Sequence, residues 1–149
     1  YAARDGGMRW WLWGFIPVLN AGGPVRSAAG RVAIEALWLP SALLPVDGDE
    51  WEPVDDWSAR VRVRVDGETL VSTLYVSPEG RLERVEMMRW DPEGLDGAPG
   101  YVLWVADEIS EERTFGGYTI PVRLRVTSKA GSPQENSFFE PVIVTADFR

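Results

Sequence analysis

The feature that most constrains this fold is a strict alternation of apolar and charged residues between Ser58 and Val65, which reads SARVRVRV. Consecutive side chains of a β-strand point to opposite faces of a sheet, so the pattern predicts a strand with two different faces. One face carries Ala59, Val61, Val63 and Val65, and the other carries Arg60, Arg62 and Arg64. The chain is therefore expected to build a sheet that buries one side and presents a ladder of arginines on the other.

Turn signals on both sides of this strand predict an antiparallel meander. Asp66-Gly67 and Pro78-Glu79-Gly80 each mark a tight hairpin, and Gly116-Gly117 marks a third. Asp91 to Gly100 reads as a proline- and glycine-rich loop, and Lys129 to Ser137 reads as a polar loop.

These boundaries predict a series of strands, three of which contain a proline. The predicted strands are Trp51–Trp57, Ser58–Val65, Thr69–Val76, Arg81–Arg89, Tyr101–Arg113, Tyr118–Val126 and Phe138–Phe148. Pro53 has no backbone donor, so its strand is better placed at an edge of the sheet. Pro121 puts its own strand at an edge, or else occupies an unpaired position.

One stretch has a helical period. Pro24 suits the first turn of a helix, and apolar residues then recur at three- and four-residue spacing: Val25, Ala29, Val32, Ala33, Ala36 and Leu37. Pro40 is expected to end this helix, and Ser41 to cap one short turn that Pro45 closes. The whole segment is predicted to pack on the sheet.

The apolar run Met8 to Asn20 is roughly half as long as the about 20 residues that a membrane-spanning helix needs, and it contains Pro17. No transmembrane segment is predicted. The core of a signal peptide is one interpretation, with Met8 as its start. The favoured interpretation is a strand that is buried on both faces and ends at Pro17.

Composition restricts the chemistry that this chain can perform. Its 149 residues fit a single domain, 1–149, and they include no cysteine and no histidine. Thiol chemistry, imidazole bases and the commonest zinc ligand are therefore excluded. A net charge of −8 argues against nucleic acid as a partner. The acidic stretch Asp47 to Glu50 fails the spacing of a calcium loop, so neither a metal nor a cofactor is predicted.

These elements predict an α+β fold: a curved antiparallel sheet of six to seven strands, with one main helix on its concave face. Their order resembles the DUF6544 family, also called DUF6920, of bacterial proteins of unknown function. The resemblance rests on GFIPV, GRVAIEALWLPSALLP, WEPVDD, SPEGRLERV, EERTFGGYTIPVRLRV and VIVTADFR in this order. It covers nearly the whole chain and implies the fold of the family without implying a reaction. The sequence does not distinguish a cytoplasmic from an exported protein.

The resemblance also suggests a partner. Members of the family are longer, with additional strands before Met8, so this chain, which begins at Tyr1, is expected to be the C-terminal portion of a larger fold. An edge left open there would invite another chain. We therefore predict a homodimer or a partner chain that contacts the N-terminal strand at Trp10, Trp11, Trp13 and Phe15.

The predicted function is a non-catalytic module that holds an apolar ligand or a partner chain against an aromatic-lined sheet. The sheet is also similar, more loosely, to the half-barrel of bacterial lipoprotein carriers, and the chain has eight tryptophans. Aromatic-lined pockets commonly hold small apolar ligands. The predicted ligand-binding residues are Trp38, Leu43, Leu44, Trp51, Trp57, Trp90 and Trp104. The alternative is that the tryptophans fill a thin core.

Carboxylates provide the alternative function, a small hydrolase or isomerase. Asp55 and Asp56 lie between two tryptophans, and burial beside indole would raise a carboxyl pKa enough to make it an acid. Glu111 and Glu112, with Tyr118 beyond the next turn, are the candidates for a second catalytic group. Solvated ion pairs with the arginine ladders account for the same residues.

Overall fold

The computed structural model describes residues 8–12, 16–21, 25–44, 50–65 and 67–148. Its elements in chain order are β1 (Met8–Leu12), β2 (Ile16–Ala21), helix α1 (Val25–Glu35), two 3₁₀ turns (Ala36–Trp38 and Pro40–Leu43), β3 (Glu50–Asp55), β4 (Ser58–Val65), β5 (Glu68–Val76), β6 (Leu82–Leu95), β7 (Ala98–Phe115), β8 (Tyr118–Ser128) and β9 (Asn136–Phe139).

Strands β3 to β9 form one seven-stranded sheet in which every strand pairs antiparallel with the next in sequence. β3 and β9 are its two edges, so the described sheet is not closed into a barrel. One helix, α1, packs on it. This confirms the predicted fold class.

The alternating strand sets the register of its neighbours. β4 has the bounds predicted from its apolar–arginine alternation and pairs with β5 without a bulge, from Ser58 opposite Tyr75 to Val65 opposite Glu68. Gly67, with a φ of 87°, supplies the left-handed conformation that the tight turn requires. β3 lies at an edge, as expected from Pro53.

The prediction of a loop from Asp91 to Gly100 was wrong. β6 and β7 run through this segment and turn only at Asp96 and Gly97, whose φ angles are 56° and 75°. The proline and glycines are taken up by a register shift between Asp91 and Leu95. The segment is therefore a hairpin with a bulge. The hydrogen-bond ladder between β6 and β7 resumes beyond the residues that interrupt regular pairing.

Helix α1 is buried on one side against the strands. The core consists of Ala29, Ala33, Ile34 and Leu37 from the helical segment and Leu70, Val85, Met87, Ala106, Leu124 and Val126 from the sheet. The apolar spacing thus predicted most of the buried face, although Val32 is 40% exposed. The expected cap at Ser41 was wrong, because the second 3₁₀ turn begins at Pro40, a residue preorganised for the first position of a helix.

The N-terminal segment forms two strands, so the single strand ending at Pro17 was wrong. β1 and β2 pair with each other as a separate two-stranded sheet, and Pro17 lies within β2 opposite Trp11, next to a bulge that accommodates its missing donor. Trp13 and Phe15 fall outside the described residues. Within the described part of the chain, no helix has the length and hydrophobicity needed to span a bilayer.

The C-terminal strand is shorter than predicted. Only Phe138 and Phe139 of the expected Phe138–Phe148 strand belong to β9. Pro141, which has no backbone donor, follows, and an isolated bridge then pairs Val142 with Arg123 of β8. β9 pairs only with the Val126–Ser128 end of β8, so Pro121 lies beyond the stretch that β9 covers.

Candidate functional site

An apolar groove of about 400 Å³ lies between the helical segment and strands β6 to β9. Its apolar lining is Ile34, Leu37, Trp38, Trp104, Ala106, Leu124, Val126, Phe138 and Phe139, and its charged lining is Arg31, Glu35 and Arg89. This volume lies within the range of pockets that hold small organic ligands. The groove combines an aliphatic floor, aromatic walls and a few charged groups.

The aromatic wall on the sheet side comes from β7 and β9. The rings of Trp104 and Phe138 meet edge to face with centroids 5.3 Å apart. The ring centroids of Phe138 and Phe139 are 6.4 Å apart. Phe138 is 52% exposed. A large aromatic surface at the edge of the sheet is therefore left available to a bound molecule.

On the helix side, Trp38 forms the wall and links the helical segment to the sheet. Its indole Nε1 donates a hydrogen bond of 3.0 Å to the carbonyl of Pro121 in β8. This bond fixes the end of the first 3₁₀ turn against the strand.

Arg89 is the most unusual charged residue of the groove. Its Nε donates to the carbonyl of Ser27 at 3.1 Å, and its Nη2 donates to the Ser27 hydroxyl at 3.3 Å. The guanidinium carbon lies 4.0 Å from the ring centroid of Trp104, in cation–π distance. Burial, reinforced by the charge of Arg31, lowers the pKa of Arg89 to about 10, so the side chain remains cationic at neutral pH.

Arg31 and Glu35 lie one turn apart on α1 and form an ion pair, with Nε and Oε1 2.6 Å apart. Both side chains are about half exposed, so this pair contributes little to stability. The Arg31 guanidinium carbon also lies 5.9 Å from the Phe139 ring centroid. The three charged lining residues together carry one net positive charge, in a chain whose net charge is −8.

Of the seven predicted ligand-binding residues, Trp38 and Trp104 line the groove. Leu43 packs with core residues under the helix, and Leu44 is exposed. The Trp51 indole donates to the Leu43 carbonyl at 2.8 Å, whereas Trp57 is exposed beside the β3–β4 turn. The Trp90 ring centroid lies 5.4 Å from that of Tyr101 and 5.5 Å from the guanidinium carbon of Arg26.

Sequence reasoning missed the partners of the two groove tryptophans. The predicted strand Phe138–Phe148 gives Phe138 and Phe139 no role in a site, and Arg89 is only the last residue of a predicted strand. The adjacent aromatic pair before Pro141 was the one available signal for an exposed apolar edge. No local signal indicated that Arg89 lies beneath a helix formed about sixty residues earlier.

The carboxylates proposed for catalysis are separated along the sheet. Asp55 is at the end of β3 and Glu111 is in β7, with β4, β5 and β6 between them, which is about 19 Å at the usual strand spacing. The expected rise in an aspartate pKa was wrong for Asp55. This carboxylate is exposed, and hydrogen bonds to it, chiefly from the Trp57 backbone at 2.8 Å, lower its pKa. Asp56 is likewise exposed.

The second group of carboxylates belongs to an ion-pair ladder on the surface. Glu111 lies 3.2 Å from the Arg123 guanidinium and 3.7 Å from that of Arg113. Glu112 is exposed, and the Tyr118 ring packs against Phe148 with centroids 4.7 Å apart. Across the part of the chain that the structure describes, no cluster of three acidic side chains could hold a metal ion.

Comparison with known families identifies the relatives of this chain. The model of a family described as a family of unknown function, DUF6544, matches residues 1–140. The chain belongs to the DUF6544 family. This confirms the resemblance that the sequence carries, and membership assigns neither a reaction nor a ligand. No match was found among curated proteins or among solved structures.

Proposed function

We propose that this DUF6544 chain is a non-catalytic binding module that holds a small apolar ligand in the groove between α1 and strands β6 to β9. The observation that carries the proposal is the lining, in which nine of the twelve residues are apolar and four of these nine are aromatic. Transfer of an aliphatic chain from water onto such a surface is favourable by about 25 cal/mol for each Å² buried.

The exposed aromatic residues on β9 support the same proposal. A strand at the edge of a sheet normally carries charge or proline to prevent association, whereas β9 presents Phe138 and Phe139 beside an open volume. Exposed apolar surface that is concave and rimmed by charge is typical of a ligand site. The alternative enzyme has weaker support, because its carboxylates are exposed and separated along the sheet.

Calorimetric titration with 1-decanol, an uncharged aliphatic probe, tests the proposal. We expect saturable binding to the wild-type protein and about fivefold weaker binding to Phe138→Ala, since the truncation removes about 1 kcal/mol of apolar contact. Tyr101→Ala is the matched control. Tyr101 is 48% exposed and also meets a tryptophan edge to face, but it lies outside the groove.

Two outcomes would overturn the proposal. One is the absence of saturable 1-decanol binding by a folded wild-type protein. The other is equal weakening by Phe138→Ala and Tyr101→Ala, which would place the binding surface elsewhere.

Association with another copy of the chain through the N-terminal hairpin is a second candidate. β1 and β2 form a two-stranded sheet that does not join the seven-stranded sheet. An isolated hairpin is marginally stable, so pairing with a second hairpin would stabilise it. The predicted contacts are Trp10, Trp11, Trp13 and Phe15. Light scattering at micromolar concentration is expected to give a dimer, and a monomer would refute this candidate.

A further inference from the structure

The charged residues of the groove restrict which apolar ligand it would select. Arg89 lines the groove, and among the described carboxylates none forms a salt bridge with it. Asp91 and Glu35 act on it only as longer-range charges. Burying an unpaired charge is unfavourable, so a partner that supplied an anionic oxygen would be bound favourably at this position.

Arg89 also has unused hydrogen-bond donors. A guanidinium group has five N–H donors, and the contacts to Ser27 use one on Nε and one on Nη2. Both donors on Nη1 and the second on Nη2 have no acceptor among the described residues. The ring of Trp104 and the helix backbone hold the group in place, so little rotamer freedom would be lost on binding.

The charge balance favours a singly charged headgroup. Arg31 is already paired with Glu35, which leaves one positive charge in the lining. A carboxylate would neutralise that charge. A phosphate monoester carries −1.5 to −2 near neutral pH and would place excess negative charge beside Glu35.

We infer that the ligand is an aliphatic chain ending in a carboxylate, with the chain on the aromatic wall and the carboxylate hydrogen-bonded to Arg89. This inference rests on the proposed function and adds the chemical class of the ligand. Arg89 would act as a specificity residue, because it distinguishes an acid from an uncharged chain of the same length.

The test compares decanoate with 1-decanol by calorimetry on the wild-type protein and on Arg89→Met, which keeps an unbranched apolar side chain. Hydrogen bonds to charged groups are the stronger class, so we expect the affinity ratio of decanoate to 1-decanol to fall by about tenfold or more in Arg89→Met. The ratio is taken between two probes on the same variant, so a general loss of groove affinity weakens both and leaves the ratio unchanged. Arg64→Met, which alters an exposed arginine of β4, should leave the ratio unchanged.

A series on the wild-type protein keeps the inference testable if Arg89→Met does not fold. Decanoate is expected to bind more tightly than decylammonium, because the lining carries a net positive charge. Equal or tighter binding of decylammonium would overturn the inference, as would an unchanged affinity ratio in a folded Arg89→Met. If 1-decanol binds without any preference for decanoate, only this inference fails. If the folded wild-type protein does not bind 1-decanol, the proposed function fails and this inference fails with it.

Discussion

Gly30 of α1 lies directly against the side chain of Arg89 of β6. A Cβ atom at position 30 would come within 2.7 Å of Arg89 Cγ, 3.1 Å of Cδ and 3.3 Å of Nε. Contacts of 2.7 Å between carbon atoms do not occur, so any side chain at position 30 must displace the stem of the arginine. The absence of a side chain there allows Arg89 to reach Ser27 and Trp104 beneath the helix.

This contact predicts the effect of Gly30→Ala. Alanine is favoured over glycine inside a helix by about 1 kcal/mol, while overpacking costs about 1–3 kcal/mol. We expect a net loss of about 1 kcal/mol in the free energy of unfolding, measured by urea denaturation. A more stable Gly30→Ala would show that the arginine moves aside freely.

The same contact predicts coupling between the two positions. In an Arg89→Ala background, the arginine stem that a methyl group at position 30 would contact is absent. Gly30→Ala should then stabilise the protein by about 1 kcal/mol through helix propensity alone. The change in unfolding free energy caused by Gly30→Ala thus has opposite signs in the wild-type and Arg89→Ala backgrounds. A double-mutant cycle by urea denaturation measures this, and additive effects would contradict it.

Trp38→Phe tests the hydrogen bond that joins the helical segment to β8. The substitution keeps an aromatic ring but removes the donor to the buried Pro121 carbonyl, and an unsatisfied buried acceptor costs about 1–3 kcal/mol. We expect a loss of about 2 kcal/mol in unfolding free energy. Trp57→Phe, at a side chain that is 50% exposed, should stay within about 0.5 kcal/mol of the wild type. Similar losses for both would contradict the prediction.

The sequence predicted the sheet better than it predicted the groove, for a physical reason. The bounds of β4 follow from local alternation and a tight turn, both of which act between neighbours in sequence. The loop predicted from Asp91 to Gly100 was wrong because proline and glycine have the same local preferences in a bulge as in a loop. The groove brings together Arg31, Arg89, Trp104 and Phe138, which lie on four different elements. Their convergence depends on the helix position and on strand pairing, neither of which a local pattern encodes.

Asp55→Ala is expected to destabilise the β3–β4 turn in a pH-dependent way. The folded-state pKa of Asp55 is lowered by hydrogen bonds, chiefly from the Trp57 backbone, so the charged form is favoured in the folded state. Its stabilisation is present above the unfolded-state pKa of about 3.9 and is lost as the pH falls through the lower folded-state value. Urea midpoints of Asp55→Ala and the wild type should therefore differ at neutral pH and converge in strong acid. Asp56→Ala is the adjacent control, and a constant difference for Asp55→Ala would contradict the prediction.

Tyr75 allows a direct titration within the partly buried polar network on β5 and β6. Its hydroxyl donates to Glu86 Oε2 at 3.1 Å, and Glu86 also accepts from Arg84. Partial burial first, and then the Glu86 carboxylate, raise the pKa of Tyr75 above its ordinary value of about 10. Because the neutral phenol is favoured in the folded state, its stabilisation is present below about pH 10 and is lost as the pH rises through the folded-state pKa.

Two substitutions should move the titration of Tyr75 in opposite directions. Glu86→Gln removes a negative charge and should lower the pKa of Tyr75, whereas Arg84→Met removes a positive charge and should raise it. Phenolate absorbance measured against Tyr75→Phe versions of the same proteins isolates this one group from the other three tyrosines. Shifts in the same direction in both variants would mean that altered burial, and not charge, controls the phenol.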